Sequence, residues 1–558
     1  MTFSYSKLKK AAFLLLALPT LVFAVGFLRW WVALPVAALL AFAYIWSIRK
    51  EHQTEDEEEY QLYLRPWQLL VLLGIVTLWC ILSGLGNLYY QSSDWGARNA
   101  IFRDLIRYRW PVIYDVSDTA LVYYIAFWLP AALFGKLAAA MGADLGHAFA
   151  VGNAALLVWS IVNMLLIVLL VLLYVRAHSV KRFVITLAIF IGFGGLDIIG
   201  ALCHRAFGVT IPYHLEWWTA YQYTSMTACL GWVFNQAIPA WLTVICFLHE
   251  KRLHNYAFLI VLCAAFAPLP CIGLAVYMLA ILAVRAVRAC REKRVADLLK
   301  EVLTPQNLIA AVALLPIWLI YYMSNLAVSA DRGTLISSPD RLALALLLAA
   351  SAIAVAATVL LYRKKREWQY AAVLAGTLLL LAVWSNFNLE VNRKYLCALL
   401  VESAAYLALL AFDYRKTLLY RVAFFSAVFC PLFSVGTAFD FCMRASIPTM
   451  FILMILCMEF LFRHEDAITL RREIAVEKRV PRVICLLLIA VLLIGSVTAM
   501  REFFTGFYAI VTEGKFNVVN DHIYTYNRTF EGAREGAALN FTAANYEQTA
   551  FFRFFAKS

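Results

Sequence analysis

Ala148 to Val175 reads AFAVGNAALLVWSIVNMLLIVLLVLLYV, 28 residues without one charged side chain. An α-helix rises 1.5 Å per residue, so about 20 such residues cross a hydrocarbon core about 30 Å thick. The stretch reads as a membrane-spanning helix, and runs like it recur along the chain. Strands of a membrane β-barrel would instead alternate over roughly ten residues. Of the 558 residues, 63% are hydrophobic and 15% charged, with mean hydropathy +0.76. Soluble domains sit near half apolar and a quarter charged, so a cytosolic enzyme and a long disordered chain are both excluded. The expected fold is an all-α polytopic membrane protein.

The span is followed by Arg176, Lys181 and Arg182, and basic residues in short loops mark the cytoplasmic side. Lys and Arg exceed Asp and Glu by 48 to 35, and most of the excess lies in such loops, so no nucleic-acid partner is implied. Lys7, Lys9 and Lys10 place the N-terminus inside. The run after them lacks a cleavage site and a second begins at Trp31, which gives a retained hairpin over 11–29 and 32–48. A span over 67–88 then exits.

The apolar segment Leu121 to Leu137 looks like another span, but a crossing there would put Arg176, Lys181 and Arg182 outside. It is therefore assigned to the outer interface. The remaining basic loops then fall inside, giving about 15 spans with the C-terminus outside the cytoplasmic (inner) membrane. Among them, 255–290 is broken at Pro268 and Pro270 into a short hairpin. The chain divides into an N-terminal hairpin and loop (1–66), a module with the outer loop 89–147 (67–290), further spans (291–500) and an outer tail (501–558). No inner segment is long enough for a nucleotide-binding domain, and no Walker A sequence is present. The 12 cysteines show no CxxC spacing, which argues against a disulfide framework or a zinc site.

The first long outer loop contains Ser92-Ser93-Asp94-Trp95, then a helix with Ala97, Ile101 and Leu105 on one face and Asn99, Arg103 and Arg107 on the other. This predicts an amphipathic helix in the membrane interface. The acidic residue at its start sits beside the membrane surface, where a carboxylate can serve as a base, near a basic face able to hold a phosphate headgroup. Asp94 is the candidate base, with Arg98, Arg103, Arg107 and their neighbour Asn99 as candidate substrate contacts. Alternatively, Asp94 caps the helix and pairs with Arg98, while the arginines touch lipid phosphates.

The second outer loop carries His214, Glu216, Trp217, Trp218, Tyr221 and Tyr223, followed by Trp232 and Asn235-Gln236. Rings beside polar groups suit a sugar, and an interfacial aromatic belt gives the same composition. His214, Glu216, Trp217, Tyr221 and Gln236 are carried as candidate binding residues. The His214–Glu216 spacing does not specify a metal site, so the cofactor is unassigned, with a divalent metal possible. Asp197, inside an apolar span, is expected to pair with His204 or Arg205, and Glu402 to hydrogen-bond a neighbouring helix. Arg393 and Lys394 beside Glu390, and Asp440 with Arg444, stand at outer span ends as secondary phosphate-binding candidates. The sequons at Asn527 and Asn540 match a glycan acceptor by composition alone.

The first loop resembles that of the GT-C glycosyltransferase superfamily, membrane enzymes that include protein O-mannosyltransferases and lipid A aminoarabinose transferases. Asp94 matches the family's acidic residue and Trp110-Pro111 its aromatic-Pro turn. Leu121-Val122-Tyr123-Tyr124 through Phe134-Gly135-Lys136-Leu137 matches its second interfacial helix, and the likeness runs over roughly residues 67–290. Trp95 stands where the family has a second acidic residue, and the family's proline pair is absent. The resemblance implies a polyprenyl-phosphate sugar donor and a glycan, lipid or protein acceptor of the cell envelope, joined at the outer face with Asp94 as base. A transporter or flippase of lipid-linked glycans is the rival reading, and a membrane scaffold a third.

Overall fold

The computed structural model describes residues 1–49, 60–115, 117–206, 208–325, 395, 397–433, 440–468, 479–514 and 540–557. The chain is an all-α membrane protein. Among the described residues, nine helices are long and apolar enough to cross a membrane, and a bent pair makes a tenth. The nine are α1 (Tyr5–Phe27), α2 (Trp30–Ser47), α6 (Leu145–Tyr174), α9 (Met226–His249), α11 (Pro268–Arg291), α13 (Pro305–Tyr322), α14 (Cys397–Tyr414), α17 (Phe441–Arg463) and α18 (Arg479–Glu513). The bent pair is α7 (Val180–Gly192) with α8 (Asp197–Ala206). The part of the expected further spans (291–500) that falls at 326–394 lies outside the described residues. Shorter helices are α3 (Pro66–Leu82), α4 (Trp95–Arg107), α5 (Leu129–Ala140), α10 (Tyr256–Ala264), α12 (Val295–Val302) and α15 (Leu418–Phe429), and α16 (Asp440–Ala445) forms the first turn of α17.

Helices α9 and α17 are buried along almost their whole length and form the centre of the bundle. Around them the packing is aromatic, with Phe190 meeting both Trp241 and Phe451 edge to face.

Side-chain ties define two faces. On the proximal face, β1 (Thr2–Phe3) pairs with β2 (Leu62–Tyr63), and Lys9 Nζ meets Glu250 Oε1 at 2.6 Å with both side chains buried. Tyr5 donates its hydroxyl to the same carboxylate at 2.8 Å. On the distal face, β3 (Ile113–Tyr114), β4 (Thr119–Leu121) and β5 (Thr542–Ala544) form an antiparallel sheet. Arg29 Nε donates to the Ala556 carbonyl at 2.8 Å, and Asn325 Nδ2 donates to the carbonyls of Val122 and Asn540. The chain's last residues are thus fastened to the first long loop and to the far end of α1.

Four expectations change. Residues 121–137 do not form one apolar helix: they enter through β4 and Tyr123-Tyr124 and reach α5, too short to span, which packs against α6 with Gly135 close to the Ala148 carbonyl. The three-residue turn Leu85–Asn87 replaces the last part of the 67–88 span. The 255–290 hairpin has very unequal arms, a short α10 and a long α11, because Pro268 and Pro270 start α11 rather than divide the stretch evenly. The tail expected from Arg501 begins as a helix, since α18 runs on to Glu513.

Candidate functional site

The α3–α4 connection turns back sharply on Gly84 and Gly86, at φ +89° and +82°, a region glycine enters without steric cost. Gln91 then folds over the turn, donating to the Gly84 carbonyl at 2.9 Å and accepting from Asn99 Nδ2 at 2.8 Å. Trp95 stacks on Phe234 of α9 and donates its indole N–H to the Gly231 carbonyl at 2.8 Å, just before α9 kinks at Val233. The kink exposes main-chain acceptors, and the indole satisfies this one.

Helix α4 is enclosed by protein on both faces: Asn99, Arg103 and Asp104 are as buried as Ile101 and Leu105. It does not lay a basic face on lipid. Its sequence carries an amphipathic pattern because the polar side meets polar protein partners, Gln91 and the Tyr114 hydroxyl, which donates to Asp104 at 2.8 Å. Arg107, at the exposed end, lies over the Tyr108 ring. Asp94 does not cap the helix. It accepts from Arg98 Nη2 at 3.1 Å, with its own side chain 53% exposed and that of Arg98 buried.

Opposite Asp94 stands the segment between α8 and α9. Tyr90 and Tyr213 share a hydrogen bond of 3.0 Å that joins the two loops. Burial, that bond and the negative charges of Glu502 and Asp94 push the Tyr213 phenol far above its ordinary value. Next to it, His214 Nδ1 meets Glu502 Oε1 of α18 at 2.7 Å and His214 Nε2 lies 3.5 Å from Glu216 Oε2. Burial alone would depress the imidazole, but the hydrogen bonds and charges of Glu216 and Glu502 push it up to about 10, so it is a cation at neutral pH. Trp232 donates to the other Glu502 oxygen at 2.8 Å, and the Ser225 amide donates to Glu216 Oε1 at 2.8 Å. Trp217, half-exposed, packs against His214, Trp232 and Tyr213.

Beneath this layer, Trp218 Nε1 points between Asp197 Oδ1 at 3.2 Å and Glu402 Oε1 at 3.3 Å. Thr498 of α18 donates to Asp197 Oδ2 at 2.8 Å. Asp197 therefore does not pair with His204 or Arg205, which lie further along α8; His204 meets the Trp218 ring edge to face. Glu402 does bond to a neighbouring element, the short turn Leu215–Trp218.

The structure thus brings Asp94 and Arg98 to one lip with His214, Glu216 and Trp217. Asn99 and Arg103 sit behind it, Tyr221 packs edge to face with Tyr395, and Gln236 is buried one turn along α9 from Trp232 with no hydrogen-bond partner on either amide atom. Arg444 is half-buried in α16. The side chain of Asp440, together with Glu390, Arg393 and Lys394, lies outside the described residues. Of the sequons, Asn527 also lies outside them, and Thr542 is buried in β5.

Glu502 and Tyr90 were not legible as site residues. Glu502 follows Arg501 where hydropathy falls, so it read as tail, and Tyr90 read as loop. Among the described residues, no three His, Cys, Asp or Glu side chains are placed to hold a metal ion. What this region presents is an accessible carboxylate, Asp94, within electrostatic reach of Tyr213, whose ring packs with Trp217 and Trp232. No family model, curated protein or solved structure matches the chain.

Proposed function

We propose that the chain is a glycosyltransferase of GT-C type, moving a sugar from a polyprenyl-phosphate donor to an acceptor at the distal face, taken as the outer face of the cytoplasmic membrane. The observation that supports this reading is the convergence of two loops distant in sequence. Asp94, accessible and held by Arg98, lies within electrostatic reach of Tyr213, which packs with Trp217 and is tied to the first loop by its bond to Tyr90. A sugar stacks its C–H face on such rings, and the long apolar helices below keep a polyprenyl chain in the bilayer. Asp94 takes the acceptor hydroxyl proton as the oxygen bonds to the anomeric carbon. The bond from that carbon to the phosphate oxygen breaks, and its electron pair leaves with the phosphate.

A specific observation favours a second reading, transport of a lipid-linked glycan. Helices α7 and α8 form a broken span with a buried carboxylate at the break, a construction that transporters place at coupling sites. Turnover of a polyprenyl-phosphate sugar by purified wild-type and Asp94→Asn protein separates the two. Loss of the base predicts a fall of about 10² or more. Because Asp94 makes no capping bond, thermal unfolding should barely change. Wild-type turnover in the variant would remove Asp94 from the chemistry, and movement of the intact lipid across vesicles without sugar transfer would establish the second reading.

A further inference from the structure

The transfer chemistry leaves the carboxyl pair at the α7–α8 break unused. That break is a built feature. The Leu196 amide donates to the Val401 carbonyl at 3.1 Å, inside a π-helical turn (Leu400–Ala404) of α14. The Gly194 carbonyl accepts from the Tyr406 hydroxyl at 2.8 Å, and the Phe193 carbonyl from the Met226 amide at 2.9 Å. Irregular backbone inside a membrane bundle persists only where neighbouring elements satisfy it in this way, and π-turns gather at functional positions.

Asp197 and Glu402 are fully buried, and a single indole N–H, that of Trp218, lies within hydrogen-bond distance of an oxygen of each, which sets the two carboxyls side by side. Their protein donors are the Trp218 indole and the Thr498 hydroxyl, while Glu402 Oε2 is buried and receives none. Among the described residues no Lys, Arg or His forms an ion pair with either carboxyl. Among the described residues, the titratable groups within electrostatic reach of the pair include Glu216, Tyr223, Tyr406 and Cys442, none of them a cation. Two buried like charges side by side, with no cation paired to either, cannot both persist, so the pair holds a proton.

We propose that Asp197 and Glu402 form a proton-binding site, holding one proton between them and exchanging it with the distal face through Glu216, His214 and Glu502. Glu216 is the link, because it stands in the same short turn (Leu215–Trp218) as the Trp218 whose indole meets both carboxyls, and its Oε2 lies 3.5 Å from His214. His214 meets Glu502, the partly exposed end of the series. The proposal stands whether or not Asp94 is a catalytic base.

Infrared spectroscopy of the purified protein at neutral pH tests it. The wild type should show the carbonyl stretch of one protonated carboxyl from this pair. Glu402→Gln replaces the shared proton by an amide N–H and should erase that band while the protein stays folded, and Asp197→Asn should shift it. Glu216→Gln should slow its shift on transfer to deuterated buffer. A wild type without the band, or a band that neither Glu402→Gln nor Asp197→Asn moves, overturns the site. Unchanged exchange in Glu216→Gln overturns the route.

Discussion

His214 carries a proton that two carboxylates hold in place, and the consequence is a pH-dependent stability. In the unfolded chain an imidazole titrates near about 6.5, whereas in the folded protein this one is pushed up to about 10. The folded state therefore binds the extra proton between those values. Its stabilisation, on the order of a few kcal/mol, is fully present below about pH 6.5 and is lost as pH rises through about 10. The unfolding temperature of the wild type should fall between pH 7 and 10, and His214→Gln should lower it at pH 7 while flattening that slope. A slope unchanged in the variant would show that His214 does not hold the proton. At this scale the sequence pointed to residues that the fold brings near one another and was poor about their partners. Asp94, His214, Glu216 and Trp217 converge, yet Glu502 is remote in sequence from His214, and no local spacing connects them. Asp197 was assigned its nearest basic residues in sequence, and its real partners come from the loop before α9 and from α14 and α18.

At the scale of elements, polar residues inside helices tell less about where the helix sits than about what it meets. The α4 pattern is equally that of a helix on lipid and of one whose polar side is buried against Gln91 and Tyr114, and only the tertiary contact separates the two. Helix α7 and α8 read as one span because Gly194, Gly195 and Leu196 are apolar; nothing in that composition announces a break that Val401 and Tyr406 satisfy. The break makes its own prediction. At Gly195 a methyl would land 1.9 Å from Glu402 Oε2, and at Gly194 it would land 2.7 Å from Ser225 Cβ. Gly195→Ala should destabilise the protein by about 1–3 kcal/mol, the scale of overpacking in a tight core. Combined with Glu402→Ala in a double-mutant cycle, the two losses should be clearly less than additive, because removing the side chain makes room for the methyl. Additive losses would mean that the glycine is not there to admit Glu402.

Across the whole molecule, hydropathy and basic loops were enough to establish a helical membrane protein and to keep residues 121–137 from becoming a span. They did not establish which remote segments join. The strand Thr542–Ala544 completes a sheet with the first loop, and Lys557 reaches back to the Val25 and Phe27 carbonyls, contacts between opposite ends of the chain that leave no periodic signal. These ties fix relative sidedness. Single cysteines at Gly142 and Lys557, in a background without the native cysteines, should react with an impermeant thiol reagent from the same side of sealed vesicles. One at Lys293, on the proximal face, should react only from the other side. Shared labelling of Gly142 and Lys293 would overturn this arrangement. The most direct test of the central claim uses the same vesicles with a radiolabelled polyprenyl-phosphate sugar in the bilayer and the sugar acceptor confined to one side. The account predicts that label passes from the carrier to the acceptor when the acceptor shares the side of Lys557, and not when it shares the side of Lys293; carrier lipid that keeps its sugar under both conditions would contradict it.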